Sequence, residues 1–258
     1  MLLACDVGNS HTVIGCFDGA RLLEHWRLAT SADRTADESA VLIDQLLRLG
    51  AVVGVPTAAI IASVVPGATE ALRVALRRRF AVEALLVGPE LDTGMPVLYD
   101  NPAEVGADRI VNAVAAYARW RQGLIVVDFG TATTFDCVTP RGEYLGGAIA
   151  PGLAIGAEAL YRRTAKLPRV AIERPARALG RSTVASMQAG LYFGYAGLVD
   201  GIVNALRAEL DFKPKVVATG GLAGLIAGAS AQISEVDELL TLEGLRLLAQ
   251  RHHDRAPA

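Results

Sequence analysis

Short apolar runs separated by turn signals open the chain. Leu2–Cys5 ends at Asp6-Val7-Gly8-Asn9-Ser10, Thr12–Phe17 ends at Asp18-Gly19, and Arg21–Trp26 follows. Asp-Gly between two such runs is a hairpin signal, so the opening reads as a three-stranded meander and not as a βαβ unit. Helical spacing at Ala40, Ile43, Leu46 and Leu47 stops at Gly50. Ala58–Val65 predicts a strand closed by Pro66-Gly67, Ala68–Phe80 a helix, and Ala84–Val87 another strand. Arg77-Arg78-Arg79 falls in the last turn of that helix, where cations complement the helix dipole, and reads as a solvated turn. Gly94–Val105 is long for a connector, which marks it as a candidate functional loop. A helix over Ala107–Arg121 follows, with Ile110, Val111, Val114 and Ala118 on its apolar face.

At Leu124 the pattern begins again. Leu124–Val127 is an apolar strand ending at Asp128-Phe129-Gly130-Thr131; Thr134–Val138 and Tyr144–Ala150 are the next two, joined through Pro140-Arg141-Gly142. Pro151-Gly152 opens a helix, helical spacing covers Ser186–Leu210, and Val216–Ala218 is a strand ending in Thr219-Gly220-Gly221. Leu222–Ala227 and Glu243–Gln250 are helical, and His252–Ala258 reads as a frayed tail. The repeat is sharpest at two turns. Asp6-x-Gly8-Asn9-x-x-Thr12 and Asp128-x-Gly130-Thr131-x-x-Thr134 share one pattern, each after an apolar strand and at the start of a meander. The expectation is an α/β chain of two duplicated halves, 1–120 and 121–258, with the two turns facing each other across a cleft.

Composition narrows the partners. With 258 residues, 52% of them hydrophobic, the chain has ample material for a core. Lys+Arg 25 against Asp+Glu 27 leaves no electrostatic footprint for nucleic acid or an anionic membrane surface. Three cysteines (Cys5, Cys16, Cys137) without CxxC spacing indicate neither a disulfide framework nor a zinc site. The N-terminus lacks a basic secretory leader, and no uncharged apolar stretch approaches the ~18 residues of a membrane span. A soluble, cytoplasmic protein is expected.

The paired turns suggest phosphate chemistry. Glycine lets backbone N–H groups approach a phosphate, and the hydroxyls of Ser10, Thr12 and Thr131 can donate to it. An Asp at each preceding strand end suits Mg²⁺, which takes one or two carboxylates together with water and phosphate oxygens. An ordinary Asx turn would explain either copy alone, but not two at equivalent places. Walker A, Rossmann and protein-kinase motifs are absent. Thr219-Gly220-Gly221 offers bare backbone to a flat group or is a tightly packed strand-to-helix turn. Asp108 and Arg109, early in the third helix, fit a solvated helix start with a salt bridge. They fit equally a carboxylate that accepts a substrate hydroxyl proton beside an Arg that holds a polar substrate.

Read together, Asp6–Thr12, Gly106–Arg109, Asp128–Thr134, Gly146–Gly152, Thr183–Gly190 and Ala218–Gly221 resemble, in order, the motifs of type III pantothenate kinases. The resemblance implies actin-like (ribonuclease H-like) halves with a nucleotide cleft between them, usually in a homodimer. It implies ATP-dependent phosphorylation of pantothenate to 4′-phosphopantothenate, the first step of coenzyme A synthesis. Position by position, Asp6, Val7, Gly8, Asn9, Ser10, His11, Thr12 and Val13 match the first ATP-phosphate loop, and Thr131 the second. Gly220 and Gly221 match the nucleotide-side glycines, and Asp128 the ligand of a monovalent cation, K⁺ or NH₄⁺. Asp108 matches the catalytic base; Tyr99, Gly106, Ala107, Asp108, Arg109 and Thr183 match pantothenate contacts. Ser10 stands where the family more often has Thr, and the hydroxyl is kept. Two other readings are a non-catalytic accessory protein of the same family and a sugar or polyol kinase of the same superfamily.

Overall fold

Leu2–Val7 (β1) and His11–Asp18 (β2), both buried along most of their length, pair as the first hairpin, in register from Leu2 opposite Phe17 to Val7 opposite Thr12. The computed structural model describes residues 1–254. Arg21–Ala29 (β3) continues the antiparallel meander. Ala36–Leu49 (α1) begins at a capping box the apolar spacing did not locate: the Thr35 hydroxyl accepts from the Glu38 N–H, and the Glu38 carboxylate accepts from the Thr35 N–H at 2.8 Å. Ala58–Ser63 (β4) then pairs parallel with β1. The expected strand to Val65 is two residues too long. Pro66 is the first residue of the helix Pro66–Phe80 (α2) and not a strand terminator, because proline's fixed φ and missing N–H suit a first helical position. Its terminal arginines are solvated, as expected, and paired with Glu83, Asp37 and Asp44. Ala84–Leu86 (β5) completes a sheet of order β3-β2-β1-β4-β5. Past the long loop, which carries one short 3₁₀ turn at Pro102–Glu104, Ala107–Trp120 (α3) follows.

The second sheet has the same plan. Leu124–Phe129 (β6), Ala132–Val138 (β7) and Tyr144–Pro151 (β8) form the meander. Leu153–Arg163 (α4) and Thr183–Glu209 (α5) follow, the latter one unbroken helix of 27 residues that starts three residues before the expected Ser186. Lys215–Gly220 (β9) pairs parallel with β6; Ala223–Ala227 (α6) and the two-residue Glu235–Val236 (β10) come next. The order β10-β9-β6-β7-β8 repeats that of the first sheet, strand for strand. Duplication of two α/β halves is therefore borne out. The last helix, Leu240–His253 (α7), takes in His252 and His253, which the sequence pattern had assigned to a frayed tail; residues 255–258 lie outside the described residues.

By contacts the chain forms two compact units. One holds Met1–Met95, Asp100–Ala115 and the chain from Leu240; the other holds Pro96–Tyr99 and Ala116–Leu239. A division at 120/121 follows the repeat in sequence, yet α7 joins the first unit. Its Leu242, Leu245 and Leu248 pack with Ala4, Phe17, Ile60 and Val111 on one face of the first sheet. On the other face Leu3, Cys5 and Val7 meet Ile43, Leu46, Leu72 and Leu76 of α1 and α2. In the second unit Ile125, Val127 and Phe129 pack on Tyr192, Val199 and Val203 of α5. Full burial of each such side chain contributes roughly 1.5–3 kcal/mol, and it holds the C-terminal ends of β1 and β6 fixed beneath their turns. No helix among the described residues is long and apolar enough to cross a membrane.

Candidate active site

The first turn links β1 to β2. Gly8 N–H donates to the His11 carbonyl at 3.0 Å, leaving Asn9, Ser10 and His11 exposed at the tip. Thr30, just past β3 and unsuspected from the sequence, braces the turn. Its hydroxyl donates to the Gly8 carbonyl at 2.7 Å and lies 2.9 Å from the Thr12 hydroxyl, and its N–H donates to the Ser10 carbonyl at 3.1 Å. Thr12 is buried, so its hydroxyl shapes the turn from within. Val7 puts its side chain in the core, and only its backbone is at the turn. Asp6 stands at the strand end, partly exposed, opposite Val13.

The second turn links β6 to β7 and is one residue shorter. Gly130 N–H donates to the Ala132 carbonyl at 3.1 Å. Strand register sets Thr12 opposite Val7 and Thr133, not Thr134, opposite Phe129. The structural counterpart of Thr12 is thus Thr133, one position before the threonine that the sequence patterns align. Here the brace comes from α5. The Tyr195 hydroxyl lies 2.7 Å from the Thr133 hydroxyl and donates to the Pro151 carbonyl at 2.5 Å, tying both flanks of the turn together. Burial holds the Tyr195 phenol above its ordinary range, which keeps it a donor. Gly152 packs directly beneath the turn: a Cβ there would stand 2.0 Å from the Thr131 carbonyl oxygen.

Asp128, partly exposed at the end of β6, lies beside Thr134 of β7 and Thr219 of β9. Its Oδ1 occupies the space that a Cβ on Gly220 would take, at 2.6 Å, and Gly220 has φ +91°, a backbone conformation open to glycine. The nucleotide-side glycine and the acidic strand end predicted separately from sequence are therefore in contact. Gly221 follows, exposed. A carboxylate recessed on bare backbone at a strand end fits an oxygen-ligand cation, K⁺ or NH₄⁺, and Asp6 fits Mg²⁺ shared with phosphate oxygens. Among the described residues no group of three or more His, Cys, Asp or Glu side chains could hold a metal ion, so any such ion would draw further ligands from backbone, water or phosphate.

Asp108 lies in the first turn of α3. Its Oδ1 accepts from the Arg109 N–H at 2.9 Å and sits 2.6 Å from where a Gly106 Cβ would stand. Any side chain at position 106 would displace it. The Gly106 carbonyl accepts from the Arg109 and Ile110 N–H groups, which opens the helix. Among the described residues no donor reaches Asp108 Oδ2. Arg109 is buried and not on a solvated face. Tyr99, half-buried, packs its ring against Tyr144 with centroids 6.4 Å apart. Thr183 is the exposed first residue of α5, after the cap made by the Ser182 hydroxyl accepting from the Ala185 N–H. Asp6–Val13 and Gly106–Arg109 belong to one unit; Tyr99, Asp128, Thr131, Thr183, Gly220 and Gly221 belong to the other.

Comparison with known proteins bears on this arrangement. Residues 2–205 match the family model described as type III pantothenate kinase. A type III pantothenate kinase of Anaeromyxobacter sp. strain Fw109-5 is 58% identical over 253 residues, covering 98% of this chain and 100% of the relative. Among solved structures, the ethanolamine utilization protein EutJ of Carboxydothermus hydrogenoformans superposes with TM-score 0.57 at 15% identity, covering 95% of this chain and 89% of that one. The activator of the 2-hydroxyisocaproyl-CoA dehydratase from Clostridium difficile, solved with bound ADPNP, gives TM-score 0.55 at 12% identity over 100% and 98% of the two chains. At these identities the two structures speak for the fold alone.

Proposed function

The chain belongs to the type III pantothenate kinase family, and from that premise we propose that it transfers the γ-phosphoryl group of Mg·ATP to the 4′-hydroxyl of pantothenate with Asp108 as general base. The observation that carries this reading is the likeness along the whole chain, 58% over 253 residues, together with a free carboxylate oxygen on Asp108 at the start of a helix. In the reaction the pantothenate hydroxyl oxygen bonds to the γ-phosphorus as the bond from that phosphorus to the ADP oxygen breaks. The hydroxyl proton passes to Asp108 Oδ2. Such a transfer needs mainly alignment and stabilisation of charge, and the base takes the proton late. Oδ1, held by the Arg109 N–H, fixes the rotation of the carboxylate.

Asp6 to Val13 and Thr131 bind the phosphates through backbone N–H groups and hydroxyls, and Gly220 and Gly221 leave room for the nucleoside. Asp6 would help hold Mg²⁺ and Asp128 would hold the monovalent cation, and ions held there would supply neutralisation of phosphate charge. Tyr99, Gly106, Ala107, Arg109 and Thr183 position pantothenate. The protein works in the cytoplasm as a homodimer. Support for the dimer comes from the second unit, where α4 and α5 pack on each other and the large apolar side chain of Phe193 on α5 is exposed; exposed apolar surface of this kind is a feature of association sites. On α5, Gly190, Gly194, Gly197 and Gly201 lie on one exposed face with open space above them, so a second helix could approach closely.

The test is phosphate transfer from Mg·ATP to pantothenate, run in parallel in potassium and sodium buffers. Potassium-dependent formation of phosphopantothenate supports substrate and cation site together. Equal turnover in both buffers keeps the kinase and removes the cation from Asp128. Folded protein that binds ATP and phosphorylates nothing overturns the reading in favour of an accessory protein, and phosphorylation of sugars in preference to pantothenate overturns the acceptor.

A further inference from the structure

Asp136 sits in the middle of β7 with no solvent exposure. A strand interior disfavours Asp, and a buried carboxylate is costly unless it is well hydrogen-bonded, so sheet packing alone does not account for it. Both its oxygens accept from hydroxyls. Tyr144 donates to Oδ1 at 2.7 Å, and Thr134 donates to Oδ2 at 2.9 Å.

Those two partners lead to different parts of the site. Thr134 lies opposite Asp128 in strand register. Tyr144, itself fully buried, anchors the segment that carries Tyr99. The Tyr144 N–H donates to the Pro96 carbonyl at 2.8 Å, and the Leu98 N–H donates to the Tyr144 carbonyl at 2.8 Å. The two tyrosine rings meet at 57°. Beside them Gly146 leaves bare backbone, since a Cβ there would come within 3.0 Å of the Tyr99 ring. Tyr99 is thus seated on Tyr144 and Gly146, and the Tyr144 hydroxyl is held by Asp136.

We infer that Asp136 is a positioning residue for the acceptor side of phosphoryl transfer, acting through the Tyr144 hydroxyl to fix the ring against which Tyr99 is set. The inference rests on the reading of Tyr99 as a pantothenate contact. It makes the buried pair a determinant of acceptor affinity without either residue touching the substrate.

The experiment uses the full chain and measures kcat and both KM values for Tyr99→Ala, Tyr144→Phe, Asp136→Ala, Asp136→Asn and the double variant Tyr99→Ala/Tyr144→Phe. Tyr144→Phe removes one hydroxyl and keeps the ring, so it tests the idea even where Asp136→Ala does not fold. The expected result for Tyr144→Phe is a rise of about fivefold to tenfold in the KM for pantothenate, with kcat and the KM for ATP within about twofold, the signature of lost acceptor binding. Asp136→Asn keeps an oxygen for Tyr144 and an amide N–H for Thr134, so it restores most of what Asp136→Ala loses. The double variant is no worse than Tyr99→Ala, because residues acting through one another do not add. An unchanged pantothenate KM in Tyr144→Phe, or full additivity in the double variant, overturns the inference while Tyr99→Ala still raises that KM. If Tyr99→Ala itself leaves the KM unchanged, the acceptor reading of Tyr99 has failed, and the inference falls with it.

Discussion

Replacing Gly152 by alanine perturbs the turn between β6 and β7 and little else. Gly152 has φ −65° and ψ 152°, a conformation alanine adopts without strain, so the effect isolates a contact. Its new Cβ would stand 2.0 Å from the Thr131 carbonyl oxygen, 2.7 Å from the Thr131 carbonyl carbon and 2.9 Å from the Gly130 carbonyl oxygen. Relaxed carbon–oxygen contacts lie at about 3.3–3.6 Å, so the turn must recede by roughly 1.3 Å or more. The tie from Tyr195 to Thr133 and Pro151 resists that retreat on both flanks. Overpacking of this kind costs about 1–3 kcal/mol of stability. A displacement near 1 Å in a positioning group costs about 10²-fold in rate, or about 2.7 kcal/mol of barrier. The assay is steady-state transfer from Mg·ATP to pantothenate, with thermal unfolding alongside. Gly156→Ala, on the same helix with open space above it, is the control and keeps full activity. A Gly152→Ala enzyme with kcat within about threefold of the parent would refute the argument that the turn's position sets turnover.

Further outcomes follow from the same geometry. Asp108→Asn lowers kcat by about 10²–10⁴-fold with unchanged unfolding temperature, because the amide oxygen still accepts from the Arg109 N–H while the proton acceptor is gone; retained turnover removes Asp108 from the chemistry. Burial pushes the Cys5 thiol from 9.0 up to about 12. The folded state keeps a proton that the unfolded chain loses, so this stabilisation is complete below about pH 9 and is withdrawn as pH rises toward about 12. Denaturant titrations of the parent and Cys5→Ala across that range should show the smaller alkaline loss in the variant, and equal slopes would contradict the burial argument. Phe193→Asp, on the exposed face of α5, should yield monomers in analytical ultracentrifugation; dimers of undiminished affinity would place the association surface elsewhere.

Duplication was legible because its signal is local. Asp-x-Gly after an apolar strand needs no knowledge of distant contacts, and both meanders, the parallel strands β4 and β9 and the helices between them carried their own periodicity. Element ends were less legible where a side chain decides them: Thr35 and Glu38 start α1, and Pro66 starts α2 instead of ending β4. β10 escaped notice because two residues on the edge of β9 have no period to read. At the site, Asp108 beside Gly106 and the acidic strand ends stood out by residue type, whereas Thr30 and Tyr195 carry no motif and Gly152, though inside one, gives no sign in sequence of its contact with Thr131. Asp136, an acidic residue inside an otherwise strand-like run, is a signal the sequence does carry.

By itself, then, the chain's pattern determined two α/β halves with one topology, the two turns, and the residue types able to bind phosphate and accept a proton. These follow from short-range periodicity and turn chemistry. Tertiary structure alone decided that α7 returns to the first unit, that Thr133 and not Thr134 is the partner of Thr12, and that Asp128 rests on Gly220. It also decided that Tyr195 and Thr30 brace turns far from them in sequence. Each of these depends on which surfaces bury one another and on strand register, and a one-residue difference in turn length changes register without altering the pattern of apolar positions that the sequence displays.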